Sequence, residues 1–340
     1  MAVTPPRNTR NPRGLDDVKL IIQIPCFNEA ESLPITLPTL PRAVAGCDTV
    51  EWMVIDDGST DGTADVARAH GVDHVVRHAV NRGLATTFMT GLNACIERGA
   101  DIIVNTDADN QYDARDIDTL VQQILAGNAE FVVGARPIAS TEHFSAVKKL
   151  LQALGSAVVR IASGTRVMDA PSGFRALTRD VAMRLNVFDS YTYTLETLIQ
   201  AGRSNIRVVS IPIRTNPDLR PSRLMKSMGG YVFRSLWTIV RIFATYRPMM
   251  FFWLLSAGFG IVGFGTGLRY MILRWQGDGS GHIQSLILMA ACITACLSLF
   301  MLGFLADLMA TNRRLLEKLD WRLRKLESST PRAPSAPTKD

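Results

Sequence analysis

Two stretches without a charged residue, Pro248 to Leu268 and Ile283 to Ala306, constrain this chain more than any other feature. Each is long enough to cross a hydrocarbon core of roughly 30 Å as a helix. A pair of core helices in a soluble protein is the alternative, but their length, abundant glycine and lack of charge argue against it. Basic residues crowd the outer flanks: Arg220, Arg223, Lys226, Arg234, Arg241 and Arg247 before the first stretch, and Arg313, Arg314, Lys318, Arg322, Arg324 and Lys325 after the second. The connection between the stretches carries Arg269 and Arg274 and is otherwise glycine-rich. Positive charge collects on cytoplasmic loops, so the pattern predicts a hairpin with both ends cytoplasmic. The expectation is a two-span protein of the cell inner membrane with its large N-terminal part in the cytoplasm.

The net charge of +6 could suggest nucleic acid, but the bases sit beside the predicted spans. An anionic bilayer surface is the better partner, and no nucleic acid is expected. Cys26, Cys47, Cys95, Cys292 and Cys296 show neither metal-binding nor disulfide spacing, and reduced thiols agree with a cytoplasmic catalytic part. Met1 to Asp17 is rich in Pro, Arg and Asn without an apolar core, and reads as a tail rather than a secretory signal. Gly258, Gly260, Gly263, Gly265 and Gly267 allow close helix contact in lipid, so self-association into a homo-oligomer is an expectation.

Strand-like and helical runs alternate through the first half. Strands are predicted at Leu20–Ile24, Trp52–Ile55, Val72–Arg77, Asp101–Asn105, Glu130–Gly134 and Ile206–Ile213. Helices are predicted from near Ala30, over Asp61–Ala69, Gly83–Arg98, Asp116–Ala126, Ala146–Ser163 and Thr192–Ala201. Such alternation implies βαβ units and a largely parallel sheet, whose ligands sit beyond the carboxyl ends of the strands. Leu224 to Tyr246 mixes apolar residues with Lys226, Arg234 and Arg241, as an amphipathic helix in the membrane interface would. The expected partition is a tail over 1–17, a catalytic domain over 18–220, the interfacial helix over 221–247, the hairpin over 248–309, and a basic cytoplasmic helix with a further tail over 310–340.

The strand ends are where chemistry should lie. Asp107-Ala108-Asp109-Asn110-Gln111 follows the apolar run Ile102-Ile103-Val104. Alternation along an extended backbone would send Asp107 and Asp109 to one side, with Gln111 adding a third oxygen. That hard-oxygen set suits Mg²⁺ or Mn²⁺ shared with a substrate's phosphates. Pro25-Cys26-Phe27-Asn28-Glu29 ends the first strand, where Asn28 alone could equally cap a helix. Asp56-Asp57-Gly58-Ser59-Thr60-Asp61-Gly62-Thr63 ends the second; Asp61 is a plausible N-cap, while Asp56 and Asp57 could accept from a base or a ribose. Neither a Gly-x-Gly-x-x-Gly nor a P-loop is present, which counts against dinucleotide redox chemistry and ATP hydrolysis. His70, His74 and His78 straddle a glycine and a predicted strand and read as surface residues. Glu196 reads as a helix-surface residue, with a place near a reacting sugar as the alternative.

Together with Asn81-Arg82-Gly83-Leu84 and Ser172-Gly173-Phe174-Arg175, these motifs stand in the order of the family 2 glycosyltransferases, and over about residues 18 to 225 the chain resembles the polyprenyl-phosphate (dolichyl-phosphate) branch. The resemblance implies a GT-A fold: an α/β, Rossmann-like, mostly parallel sheet, here with an interfacial amphipathic helix and two transmembrane helices. It implies inverting transfer of a sugar from a nucleotide diphosphate sugar, UDP- or GDP-linked, to a polyprenyl phosphate lipid. Carried over by position, Pro25, Phe27, Glu29, Ile55 and Asp57 would line the nucleoside pocket. Asp107 and Ala108 would meet the ribose and phosphates, Asp109 and Gln111 the metal, and Arg136 the phosphates. Ser172 and Arg175 would stand near the acceptor phosphate. Arg220 and Arg223 fall in the loop that closes on the donor diphosphate, but Arg220-Pro221-Ser222-Arg223 replaces the family's Gly-x-Ser-Lys, and Lys226 competes for the role.

A lipid phosphate is already anionic at neutral pH, its second pKa being about 6, so the transfer requires no general base. That accords with the lack of a histidine-centred catalytic arrangement. Two other functions compete. A processive polysaccharide synthase would resemble its relatives in a Gln-x-x-Arg-Trp element, yet Met271 stands where glutamine belongs before Arg274-Trp275. A catalytically silent membrane scaffold is the other, and intact Asp107, Asp109 and Gln111 speak against it.

Overall fold

The computed structural model describes residues 17–137, 160, 163–165, 167–187, 193–217, 237, 240–241, 243–276 and 283–329. Arg220, Arg223 and Lys226, the helix expected over 146–163 apart from its end, and most of the interfacial helix lie outside the described residues. The chain divides into two compact units, residues 1–232 with 320–340, and residues 233–319.

In the first unit, β1 (Lys19–Cys26), β2 (Thr49–Asp56), β3 (His74–Arg77), β4 (Ile102–Asn105), β5 (Phe131–Ala135), β6 (Arg175–Thr178) and β7 (Val208–Pro212) form one sheet in the order β3-β2-β1-β4-β6-β5-β7. The pairings β3-β2, β2-β1, β1-β4 and β5-β7 are parallel, whereas β6 runs antiparallel to both β4 and β5. β1 is buried along nearly its whole length. Its continuous apolar run is what a central parallel strand covered on both faces requires. The helices are α1 (Leu33–Thr36), α2 (Thr63–Ala69), α3 (Leu84–Glu97), α4 (Asp116–Leu125), α5 (Arg179–Arg184) and α6 (Thr194–Arg203).

One expectation fails here for a local reason, and one strand lies where the sequence predicts none. The helix expected from near Ala30 is the single turn α1, because Pro34, Pro38 and Pro41 follow in quick succession and each removes a backbone donor. β6 was not foreseen, since Arg-Ala-Leu-Thr shows neither alternation nor β-branched enrichment. Packing over the sheet is tight: a Cβ on Gly91 of α3 would lie 2.5 Å from Gln23 Oε1 and 2.8 Å from Ile55 Cδ1. Beneath it Gln23 donates to Asn105 Oδ1 at 2.9 Å, and Asn105 donates to the Gly173 carbonyl at 2.8 Å and to the Tyr193 hydroxyl at 3.0 Å. This buried amide row ties the centre of the sheet to the loop before β6.

The second unit holds α7 (Pro248–Trp275) and most of α8 (Ile283–Ser329). Both are long and apolar enough to cross a membrane. Their shared face is built of small residues: a Cβ on Gly263 would meet Cys292 Cβ at 3.1 Å, and Ser256 donates to the Cys296 carbonyl at 2.9 Å. Leu254, Ile261 and Phe264 point away and are about 70% exposed, an apolar surface suited to lipid rather than water. The basic stretch expected to be helical after the second span forms the end of α8, which continues unbroken to Ser329. Its last turns belong to the first unit, where Arg324 donates to Asn93 Oδ1 at 3.0 Å and to Asn186 Oδ1 at 2.9 Å.

Candidate active site

β1, β2 and β4 end side by side, and the loops that follow them are laced together. Asn28 adopts a left-handed conformation, φ 54°, that turns the chain out of β1. Its amide donates to Ser59 Oγ at 2.9 Å, and its side-chain carbonyl accepts from the Thr60 amide at 3.0 Å. The Glu29 amide donates to Thr63 Oγ1 at 3.0 Å, and the Ser32 hydroxyl donates to the Glu29 carboxylate. Asn28 therefore joins two loops rather than capping a helix. Asp61, expected as an N-cap, accepts from the Thr63 and Ala30 amides and so stands just before the helix it orders. Pro25 and Ile55 are paired neighbours, both buried, while Phe27 is 43% exposed.

Asp57 is almost fully buried. Its Oδ1 accepts from His78 Nδ1 at 2.7 Å and from the Arg82 amide at 2.9 Å, and its Oδ2 accepts from the Gly83 amide at 2.9 Å. Burial pushes its pKa up, but these bonds, led by His78 and joined by Thr87, outweigh burial and hold it below the ordinary carboxylate value. His78, expected at the surface, is buried, because β3 delivers it to the inner side of α3, where its Nε2 lies 3.0 Å from Thr90 Oγ1.

β4 stops at Asn105, and the acidic loop is a turn rather than extended chain. Asp107 and Asp109 are near neighbours because the backbone folds over, with Asn110 at φ 57° and the Gln111 amide donating to Asp109 Oδ1 at 3.1 Å. Burial, followed by the charge of Asp109, raises the Asp107 pKa to about 7. The Tyr112 hydroxyl accepts from the Gly173 amide at 3.0 Å. Ala108 is buried, and its carbonyl accepts from Thr36 Oγ1 at 2.7 Å.

Arg136 follows β5 and joins two parts of the site. Its Nε donates to Asp169 Oδ2 at 2.7 Å, its Nη2 to Asp169 Oδ1 at 3.2 Å, and its Nη1 to Gln111 Oε1 at 3.5 Å. Asp169 is 1% exposed, so this guanidinium is held from behind and aimed across the acidic loop.

Ser172 and Arg175, expected near the acceptor phosphate, stand just before and at the start of β6. Both are fully buried. Arg175 donates to the carbonyls of Ser172 at 2.8 Å, Ala170 at 2.9 Å and Thr194 at 2.8 Å, and to Thr197 Oγ1 at 2.6 Å. Burial brings its pKa down to about 10, which still leaves it charged at neutral pH. Its bonds knit the loop before β6 to α6. Glu196, expected on a helix surface, is also buried, since α6 turns that face toward the protein. Sequence reasoning assigned no role to Asp169, Tyr112 or Tyr193, and their burial around Asp107 was not readable from local pattern.

Asp107, Asp109 and Gln111 fit a divalent ion by the chemistry of their oxygens. Gly173 packs closely on them: a Cβ there would lie 2.9 Å from Asp107 Oδ1. Among the described residues no three His, Cys, Asp or Glu side chains form a ready-made cage. Two carboxylates and an amide leave coordination positions for a substrate's phosphates.

A mostly parallel sheet with an acidic turn at the end of a central strand is the GT-A-like arrangement. The family model described as glycosyl transferase family 2 matches residues 21–185. Undecaprenyl-phosphate mannosyltransferase of Micrococcus luteus is 30% identical over 66% of this chain and 93% of its own length. Polyprenol monophosphomannose synthase of Mycolicibacterium smegmatis is 27% identical over 62% of this chain and 82% of its own. The chain belongs to glycosyl transferase family 2. Glucosyl-3-phosphoglycerate synthase from Mycobacterium tuberculosis, solved with Mn²⁺, UDP-glucose and phosphoglyceric acid, superposes with TM-score 0.50 and 23% identity over 65% of this chain and 79% of that one, a likeness of fold.

Proposed function

We propose that this protein transfers one sugar from a nucleotide diphosphate sugar to a polyprenyl phosphate, with inversion, at the cytoplasmic face of the membrane. The observation that carries the reading is the turn holding Asp107, Asp109 and Gln111 beneath Arg136, in a chain that also bears an apolar helix pair. The relatives' names supply the acceptor class: undecaprenyl-phosphate mannosyltransferase, polyprenol monophosphomannose synthase, and a UDP-N-acetylglucosamine–dolichyl-phosphate N-acetylglucosaminyltransferase of Methanococcus voltae that is 27% identical over 58% of this chain and 86% of its own length. Because those names cover different sugars, they leave mannose and N-acetylglucosamine both open here.

Asp109 and Gln111 would hold Mg²⁺ or Mn²⁺, with Asp107 beside them, and the ion when bound would supply a Lewis acid for the charge of the departing diphosphate. Pro25, Ile55 and Phe27 form an apolar edge for the nucleoside. Arg136, locked by Asp169, offers donors to a phosphate oxygen without needing to reorganise. The acceptor phosphate oxygen attacks the anomeric carbon while the bond from that carbon to the diphosphate oxygen breaks, and the nucleoside diphosphate leaves with the electron pair. Arg220 and Arg223 are proposed to close over it.

The test is transfer from radiolabelled UDP- and GDP-sugars to polyprenyl phosphate in proteoliposomes. A monosaccharide-lipid product that vanishes in Asp109→Ala, with folding unchanged, supports the reading. No lipid product with any donor contradicts it.

A further inference from the structure

His78 is the one histidine among the described residues that is buried, and neither the acidic loop nor Arg136 uses it. Its backbone amide donates to the Asp56 carbonyl at 2.9 Å, carrying the β2–β3 ladder one residue past the strand. The ring then spans the gap between the second strand end and α3, with Nδ1 2.7 Å from Asp57 Oδ1 and Nε2 3.0 Å from Thr90 Oγ1. An ionised carboxylate can only accept, so Nδ1 carries a proton, and the Thr90 hydroxyl can donate to an unprotonated Nε2.

What His78 fixes matters for the nucleotide. Asp57 also accepts from the Arg82 and Gly83 amides, the last residues before α3. The same segment lies so close to the turn after β2 that a Cβ on Gly58 would sit 2.7 Å from the Val80 carbonyl carbon and 2.8 Å from the Asn81 nitrogen. Residues 78–83 are therefore clamped to Asp57 and Gly58 by two independent sets of contacts, one polar and one steric. A carboxylate held from behind by one ring nitrogen has little freedom to rotate, and the loop amides it receives are fixed with it.

We propose that His78 is a positioning residue for the nucleoside diphosphate: it sets the plane of the carboxylate of Asp57, which the resemblance assigns to the nucleoside pocket, and with it the Arg82 and Gly83 amides that Asp57 receives. This rests on the nucleotide-sugar reading above. His78 bonds Asp57 and Thr90 and neither the acidic turn nor Arg136, so its loss should weaken donor capture and leave turnover at saturating donor nearly intact.

Two amides separate positioning from packing. Asparagine can place its amide nitrogen where Nδ1 stands, whereas glutamine places its amide near Nε2 and leaves Asp57 without that donor. The full-length protein in detergent is titrated with UDP and with GDP in the presence of Mn²⁺, and donor KM and kcat are measured for wild type, His78→Asn, His78→Gln and His78→Ala, with melting temperatures alongside. Expected is a loss of nucleotide affinity and a rise in KM of about tenfold for His78→Gln and His78→Ala, with kcat within about threefold, and near-wild-type values for His78→Asn. His78→Asn and His78→Gln should melt at similar temperatures, which keeps the comparison valid should His78→Ala fail to fold. Equal affinity losses in the Asn and Gln variants, or none in either, would overturn the assignment while wild-type binding leaves the proposed function standing. Wild-type protein that binds neither nucleotide overturns both.

Discussion

At the scale of single residues, the site is organised by what stands behind the reactive groups. Gly173 faces Asp107 with room for a hydrogen only, since a Cβ would also meet the Tyr193 hydroxyl at 3.0 Å. Tyr193 cannot yield, being stacked on Phe88 at 3.8 Å between ring centroids and bonded to Asn105. Gly173→Ala should therefore push the Asp107 carboxylate off its present line and lower Mn²⁺-dependent nucleotide affinity about tenfold, read by calorimetry, with melting little changed. Asp57 supplies a pH prediction. Its folded pKa lies below the unfolded value of about 3.9, so its contribution to stability is complete above that pH and is lost as pH falls through the folded value. Asp57→Asn should melt lower than wild type at pH 7 and show a shallower loss of melting temperature on acidification below about pH 4. At this scale the sequence pointed to the residue types at the strand ends but not to their partners. Asp107, Asp109 and Gln111 could be picked out by type and spacing; that His78 bonds Asp57 and that Asp169 seats Arg136 depends on residues brought together by the sheet.

Between elements, the strands with strong apolar runs were legible and the weak one was not. β1, β2, β4 and β5 fall within two or three residues of expectation because their burial on both faces demands uninterrupted apolar sequence. β6 is held by its neighbours and by Arg175 rather than by its own propensity, so no local signal could reveal it. The same arginine therefore carries a structural prediction. Arg175→Met removes the donors to three backbone carbonyls and should cost about 3 kcal/mol or more of stability, seen as a lower melting temperature before any effect on donor KM. A variant that melts like wild type but loses acceptor use would return Arg175 to the acceptor phosphate.

For the whole molecule, the two charge-free stretches begin where the apolar helices begin, at Pro248 and Ile283, while the helices run on past the stretches to Trp275 and Ser329. What the stretches did not give is that α8 runs on without a break into the first unit, because a basic amphipathic run and a membrane span share one helical period. Sidedness is open to direct test. A cysteine introduced at Ser280, between the spans, should react with a membrane-impermeant thiol reagent from outside intact cells, whereas one at Thr338 should react only after lysis. The reverse pattern would place the acidic turn on the wrong side for a cytoplasmic nucleotide sugar. The measurement that bears most directly on the central claim is single-turnover transfer in proteoliposomes holding polyprenyl phosphate, with a nucleotide sugar and Mn²⁺, comparing wild type with Asp109→Ala. One sugar per lipid phosphate, abolished by chelation and by the substitution while the fold persists, is the predicted result. Polymer longer than one sugar, or equal transfer by Asp109→Ala, would contradict it.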